Sequence, residues 1–397
     1  MARLKIAAVI TVYRKYSHAQ HIVDRFLYGY GWNGRHHRPE MDVVSLYTDQ
    51  VPQRDASRSR AEEFPTLKIY PTVAEALTRG GNRLAVDGVL LIGEHGSYPT
   101  NKKGQILYPR YELFQKIVDV FRESGRSVPV FNDKHLSWNW KWAKEMVETS
   151  REMGFALMAG SSTPVARRIP SVEIPPGAVV EEAMCLGPGG PDTYDIHALE
   201  AVQAMVERRR GGETGVVSMP AIRGEAVWEA MVRGSWKNGG WDPRLLEACL
   251  CRSHKLQPAR AGFNHILPTA AQMRRLRQNP VAYRFEYADG LKGTIFIGNG
   301  LVNDFTFAAQ LKSRSEPLST LMFSPYYDLQ NFFSPQVNNI EKLFLTRKAP
   351  YPIERTLLTT GLTVAGVESL YQGQKRLETP HLKISYQPTK ESTYWRT

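Results

Sequence analysis

The sequence predicts a two-domain α/β protein, a parallel sheet with helices on both faces followed by an α/β domain with a largely antiparallel open sheet. Three observations carry this. The 397 residues are enough for two separate cores. Over residues 1–160, β-branched runs alternate with segments of helical apolar spacing, the pattern of right-handed βαβ units. Beyond residue 160 that alternation stops, and strands joined by tight turns take over. The expected domains are therefore 1–160 and 161–397.

Lys5 to Val12 reads as the first buried strand, and Ser17 to Tyr28 as a helix with Ile22, Val23, Phe26 and Leu27 on one side. Met41 to Tyr47 is the second strand, Ala56 to Phe64 a polar helix, and Val73 to Leu77 the start of another. Val86 to Ile92 is a continuous apolar strand. Tyr111 to Ser124 is an amphipathic helix, Val128 to Phe131 a strand, Trp138 to Met153 a helix, and Ala156 to Ala159 a strand. In the second half, a strand and a Gly-Pro loop (Gly187 to Pro191) precede a helix from Ile196 to Arg208. From Ala282 two strands meet at an Asp289-Gly290 turn. Strands at Asp304 to Gln310 and Leu318 to Phe323 follow, then a helix from Ile353 to Tyr371 and a final strand from His381 to Tyr386. Gly29 to Pro39 and Gly96 to Arg110 read as inserted loops.

Composition narrows the function classes. Apolar residues are 42% and charged residues 23% of the chain, ordinary for a soluble globular protein. Lys and Arg exceed Asp and Glu, 51 against 39, for a net charge of +12. The excess suits either an anionic ligand or a basic, solubilising surface. The charges are scattered with no nucleic-acid motif, so no nucleic-acid partner is expected. Cys185, Cys249 and Cys251 form neither a disulfide framework nor a zinc-finger spacing, which points to a reducing, cytoplasmic setting. The apolar start is too short for a secretion signal, and no run approaches the ~20 apolar residues of a membrane span, so no membrane partner is expected.

Val128-Pro-Val-Phe-Asn-Asp-Lys-His-Leu-Ser, ahead of a helix and Gly154-Phe-Ala-Leu-Met-Ala-Gly, resembles the Glu-Lys-Pro segment of the Gfo/Idh/MocA oxidoreductases. Asp133 stands at the Glu, Lys134 at the Lys and His135 at the Pro. Gly189-Gly-Pro-Asp-Thr-Tyr-Asp-Ile-His-Ala-Leu-Glu is similar to the segment opening the long helix of that family's second domain, with His197 at its His. The tail from Leu343 to about Tyr371 is similar to its closing helix, expected to pack back towards the first domain. The resemblance covers most of the chain. It implies a Rossmann-type first domain, an NAD or NADP cofactor, a sugar or polyol substrate, and proton transfer by Lys134 and His197, with Asp195 as their acidic companion and Asp192 competing for that register.

The departures matter as much. Where the family carries Gly-x-Gly-x-x-Gly, this chain reads Thr11-Val12-Tyr13-Arg14-Lys15-Tyr16. Those glycines permit a tight turn and close approach to a pyrophosphate, and Thr11, Tyr13 and Tyr16 bring side chains into that space. Arg14 and Lys15 still add charge at a helix start, and Asp49 stands where a ribose-binding acid is expected, although a strand-end Asp equally caps the next helix. A dinucleotide in an altered pose would meet Tyr13, Arg14, Asp49 and Glu94; otherwise the fold works without one. His95, Asp133, His135 and Asp192 are the remaining candidates for contacting substrate.

Three further features stay open. Glu94, His95, His135, Asp195 and His197 are ligand types for a divalent metal, which would support a lyase, hydrolase or isomerase reaction on a sugar-like compound, though no local spacing joins them. Trp138, Trp140 and Trp142 either stack on a sugar ring or pack in the core. His36 and His37, between Arg35 and Arg38, either bind phosphate or form a solvated loop. An open sheet face in the second domain predicts a homo-oligomer; a binding protein without catalysis is the remaining alternative.

Overall fold

The computed structural model describes residues 3–254, 267–276, 279–325 and 330–396. Its first layer is a six-stranded parallel sheet of β1 (Leu4–Ile10), β4 (Met41–Thr48), β5 (Lys68–Ile69), β6 (Gly88–Ile92), β7 (Val130–Asp133) and β8 (Leu157–Gly160), in the order β5-β4-β1-β6-β7-β8. Such strands are apolar on both faces because helices cover both. Ile6, Ala8 and Ile10 of β1 join one core and Ala7 and Val9 the other. The helices are α1 (His18–Tyr28), α2 (Ser57–Glu63), α3 (Val73–Thr78), α4 (Arg110–Ser124) and α5 (Trp140–Glu152). β2 (Tyr30–Trp32) and β3 (Arg35–His37) form a hairpin beside α1.

The predicted Gly29 to Pro39 loop is thus mostly a hairpin, and its histidines have structural partners. His36 Nε2 lies 2.8 Å from the carbonyl of Tyr28, and His37 Nε2 2.9 Å from Glu341 Oε2.

The second layer, among the described residues, is a nine-stranded sheet, antiparallel except where β10 (Val180–Gly187) pairs with β14 (Lys292–Ile297). Around them lie β9 (Arg167–Ile169), β11 (Val216–Met219), β12 (Ala221–Arg223), β13 (Val281–Tyr287), β15 (Phe305–Leu311), β16 (Leu318–Phe323) and β17 (Leu377–Glu378). One face packs on α6 (Asp195–Val206) and α11 (Ile353–Tyr371) through Cys185, Tyr283, Phe285 and Phe307. The alternate residues Met184, Leu186, Ala282, Phe296 and Ala308 face α7 (Glu225–Arg233) and α8 (Pro243–Arg252), which supply Trp228, Leu245 and Cys249; Trp241, between those helices, joins them. α9 (Ala270–Leu276) adds Met273. The open sheet face from which an oligomer was inferred is therefore covered by the chain itself, and that argument for assembly falls.

α10 (Ser334–Thr346), absent from the sequence reading, returns to the first layer, where Val337, Ile340 and Leu343 pack with β1 and α1. α11 joins the layers, with Leu357 in the first core and Leu358 and Leu362 in the second. The predicted strand His381 to Tyr386 is not one: Pro380–Leu382 is a 3-10 turn, and only Tyr386 bridges the chain, at Glu213. Pro380, at the start of that turn, has no backbone N–H to give a ladder. Among the described residues, no helix is long and apolar enough to cross a membrane.

Candidate active site

A cleft of about 230 Å³ opens between the layers at the carboxyl ends of the parallel strands, where open α/β sheets place ligands. Lys134 stands on its wall just after β7, with φ of +61°. Its ammonium donates to Glu94 Oε1 at 3.1 Å and to the carbonyl of Thr193 at 3.0 Å. Glu94 follows β6 and also pairs with the buried guanidinium of Arg110. Burial alone would raise the Glu94 pKa, but Lys134 and Arg110 outweigh it and hold the carboxyl well below the usual range. His95 (φ +68°) and Asp192 (φ +65°) share the left-handed conformation of Lys134. Three non-glycine residues held so, each at a cost of about 1–3 kcal/mol, mark an over-determined site.

His197 reaches the cleft from the first turn of α6, its Nδ1 3.3 Å from Thr163 Oγ1. Burial, reinforced by the Lys134 charge, holds its pKa well down and the imidazole neutral. His95 lines the same cleft, its pKa lowered to about 4 by burial and by His18, and its buried Nε2 has no hydrogen-bond partner among the described residues.

Other predicted residues lie elsewhere. Asp195 is fully buried under the second sheet, accepting from the Tyr283 hydroxyl at 2.9 Å, so it does not accompany His197 in the cleft. Asp192 instead anchors the loop before α4, accepting from Ile106 N at 2.9 Å and Gln105 Nε2 at 3.4 Å. His135 is buried with Nε2 3.4 Å from the Arg110 guanidinium, which with burial keeps it neutral. Trp142 stacks on Tyr111 at 4.7 Å and Trp138 meets Trp142 edge-on, so those rings pack on one another.

Asp133 is wholly buried, and its Oδ2 lies 2.6 Å from Nδ1 of His18. Sequence reasoning missed His18. It is the first residue of α1, capped by Ser17, and the only hint was a histidine at a helix start facing the former phosphate-loop position.

No metal site forms: among the described residues, no three His, Cys, Asp or Glu side chains converge to hold an ion. Glu94 is committed to two cations, Lys134 and Arg110, His135 faces the same Arg110, and Asp195 is held by Tyr283.

The usual seat of a dinucleotide is filled. Past β1 the chain stays tied to the neighbouring strand ends: Thr11 N donates to the carbonyl of Ile92, Gln50 N to that of Thr11, and Ala56 N to that of Tyr13. Tyr13 is buried with its hydroxyl 2.6 Å from Asp24, and Arg14 points to solvent. Both Asp49 oxygens are taken, by the hydroxyls of Tyr47 at 2.9 Å and Tyr98 at 2.7 Å. Gln50 and Ser97 exchange two hydrogen bonds, of 3.0 and 2.8 Å, across the same strand ends. Gly96 (φ +110°) lets that loop close, since a Cβ there would sit 2.5 Å from the Tyr98 ring. Neither Asp49 nor Thr11 to Tyr16 borders the cleft. The residues present do not fit a dinucleotide in its customary pose.

The order of strands and the two-layer build decide the likeness. The chain has the two-domain fold of the Gfo/Idh/MocA-type dehydrogenases. GenD2 of gentamicin A biosynthesis, solved with NAD, superposes over 95% of this chain and 97% of its own with a TM-score of 0.58 and 11% identity. A myo-inositol dehydrogenase from Lactobacillus casei, solved with NAD(H) and myo-inositol, covers 99% and 100% with a TM-score of 0.56 and 11% identity. An oxidoreductase from Agrobacterium radiobacter, solved with NAD+, L-tartaric acid and magnesium, covers 95% and 98% with a TM-score of 0.53 and 12% identity. No family model matches the sequence, and no curated protein does.

Proposed function

We propose that this Gfo/Idh/MocA-fold chain is an enzyme acting on a sugar or polyol, in which Lys134 and His197 exchange protons with a substrate hydroxyl or carbonyl. The observation that carries the reading is the Lys134 ammonium, fixed between Glu94 and the Thr193 carbonyl on the wall of a cleft sized for a single sugar ring. Glu94 and the Thr193 carbonyl aim the ammonium, so it donates to a developing alkoxide or a carbonyl oxygen. The neutral His197 accepts the complementary proton. The solved neighbours, which include dehydrogenases captured with NAD, support oxidoreduction as the reaction.

A second reading, a lyase, hydrolase or isomerase reaction without nicotinamide, is favoured by one observation: Asp49 and the strand ends are closed by Tyr47, Tyr98 and the Gln50–Ser97 pair. Calorimetric titration of NAD(H) and NADP(H) separates the two. Binding tighter than about millimolar, roughly 4 kcal/mol, supports the oxidoreductase; absence of binding with turnover of a sugar supports the second. Lys134→Met is expected to lower kcat by about 100-fold or more in either case. Full activity in that variant refutes both.

A further inference from the structure

We propose that His18, oriented by Asp133, is a further proton-transferring catalytic residue of this cleft; the proposal rests on the reading of the cleft as a sugar or polyol site. His18 sits on the first-layer wall, separate from the Lys134–Glu94 pair and from His197.

The geometry is that of a two-group relay. Nδ1 of His18 lies 2.6 Å from Oδ2 of Asp133, whose side chain is fully buried, while the His18 side chain keeps 16% of its surface exposed. A carboxylate accepts only, so the proton between them resides on Nδ1, and the neutral tautomer this selects carries its lone pair on Nε2. No described residue engages Nε2. Edge-on contacts with His95 and Phe333, both with ring centroids at 5.2 Å, hold the plane of the ring. Among the described residues, Asp133 has no guanidinium or ammonium partner, and its second oxygen is buried without a hydrogen bond. A buried carboxylate placed so is costly unless the group it faces takes on positive charge. The contact fixes the ring through Nδ1 and places Asp133 to share the positive charge when Nε2 captures a proton.

The fold explains why such a residue stands here. A glycine loop would occupy the approach to α1. In this chain the segment after β1 is tied to the strand ends through Thr11, a turn falls at Arg14 to Ser17, and the first helical residue lines the cleft. In the step proposed, Nε2 takes the proton of a substrate hydroxyl. The O–H bond breaks with its electron pair left on oxygen, the N–H bond forms, and the positive charge is shared with Asp133. The reverse transfer restores both.

The test has two arms. In the first, imidazole 1H–15N spectra of the full chain and of His18→Gln are followed between about pH 5 and 9. The resonances lost in the variant are expected to show Nδ1 protonated throughout and Nε2 as the titrating atom; a neutral ring protonated at Nε2 overturns the proposal. In the second, wild type, His18→Gln and Asp133→Asn are assayed on a panel of inositols, alditols and aldoses, with and without NAD(P)+. His18→Gln is expected to lower kcat by about 100-fold or more and to remove the acid-side limb of the kcat/KM pH profile, with KM changed by less than about threefold. Asp133→Asn, which removes the acceptor for Nδ1–H, is expected to follow it. An unchanged kcat and profile in His18→Gln overturns the proposal. A wild type inactive on the whole panel defeats the sugar reading instead, and the first arm then decides the dyad alone.

Discussion

Replacing Asp195 by asparagine should stabilise the protein above neutral pH. The carboxyl is fully buried, with Oδ1 accepting from Ile196 N at 2.8 Å and Oδ2 from the Tyr283 hydroxyl at 2.9 Å. Burial, aided by the Asp192 charge, pushes its pKa from 3.8 up to about 7. The folded state therefore holds the proton more tightly than the unfolded chain. Stability falls as pH rises from about 4 to about 7, and the whole loss is present above that window. At 1.36 kcal/mol per unit the shift corresponds to about 4 kcal/mol, and local relaxation leaves about 2–4 kcal/mol to be recovered. Asparagine has the same shape, keeps the acceptor for Ile196 N, and can donate to the Tyr283 oxygen. Urea unfolding of both proteins at pH 8 and pH 5 reads the effect. The gain should be full at pH 8 and shrink to about 1–2 kcal/mol at pH 5. Glu182 and Glu200, also pushed up to about 7 by burial, titrate in both proteins and cancel in the difference. A gain independent of pH, or a loss at pH 8, would refute the reasoning.

Glu94→Gln leaves the Lys134 ammonium and the Arg110 guanidinium buried without their anion, and should cost about 3–5 kcal/mol at pH 7 in the same unfolding assay. Because the Glu94 pKa is depressed, its contribution is present above the unfolded value near 4 and fades as pH falls below it; a gap from wild type that stays constant down to about pH 3 would contradict this. Trp241→Ala, at a fully buried ring behind the second sheet, should cost about 3–5 kcal/mol and raise binding of a hydrophobic dye, and a silent substitution would show that the sheet face is not sealed there. Gly366→Ala, whose Cβ would lie 2.2 Å from the Tyr283 ring, should cost about 1–3 kcal/mol through overpacking of α11 against β13, read as a lower unfolding midpoint.

Elements with strong local signals were legible in the sequence. Ile353–Tyr371 and Leu318–Phe323 occur with the predicted bounds, because a long apolar helix and a short, mostly apolar run leave little ambiguity. α10 was not legible: Ser334-Pro-Gln-Val-Asn-Asn opens with poor helix formers, and the apolar side that buys its stability meets α1 across some 300 residues of sequence. In the site, Lys134, Glu94 and His95 could be placed because strand ends announce themselves, and His197 through the resemblance of the segment that opens its helix. Asp195 could not: two residues from His197 on a helix, it points to the opposite side and lands under Tyr283. The His18–Asp133 pair spans 115 residues with no spacing rule to join its members.

The way the strand ends are filled also governs how this scaffold could be repurposed. Thr11 Oγ1 holds the Glu94 carbonyl at 2.8 Å, Gln50 holds Ser97, and Tyr98 holds Asp49, so each group closing the crevice is propped by another. Removing any one of them forfeits a bond without opening a channel, and coupled neighbours do not add. A one-site-at-a-time library aimed at a nicotinamide enzyme would meet only losses. Grafting 11–17 and 94–99 together, as two blocks, is the shorter route across that barrier.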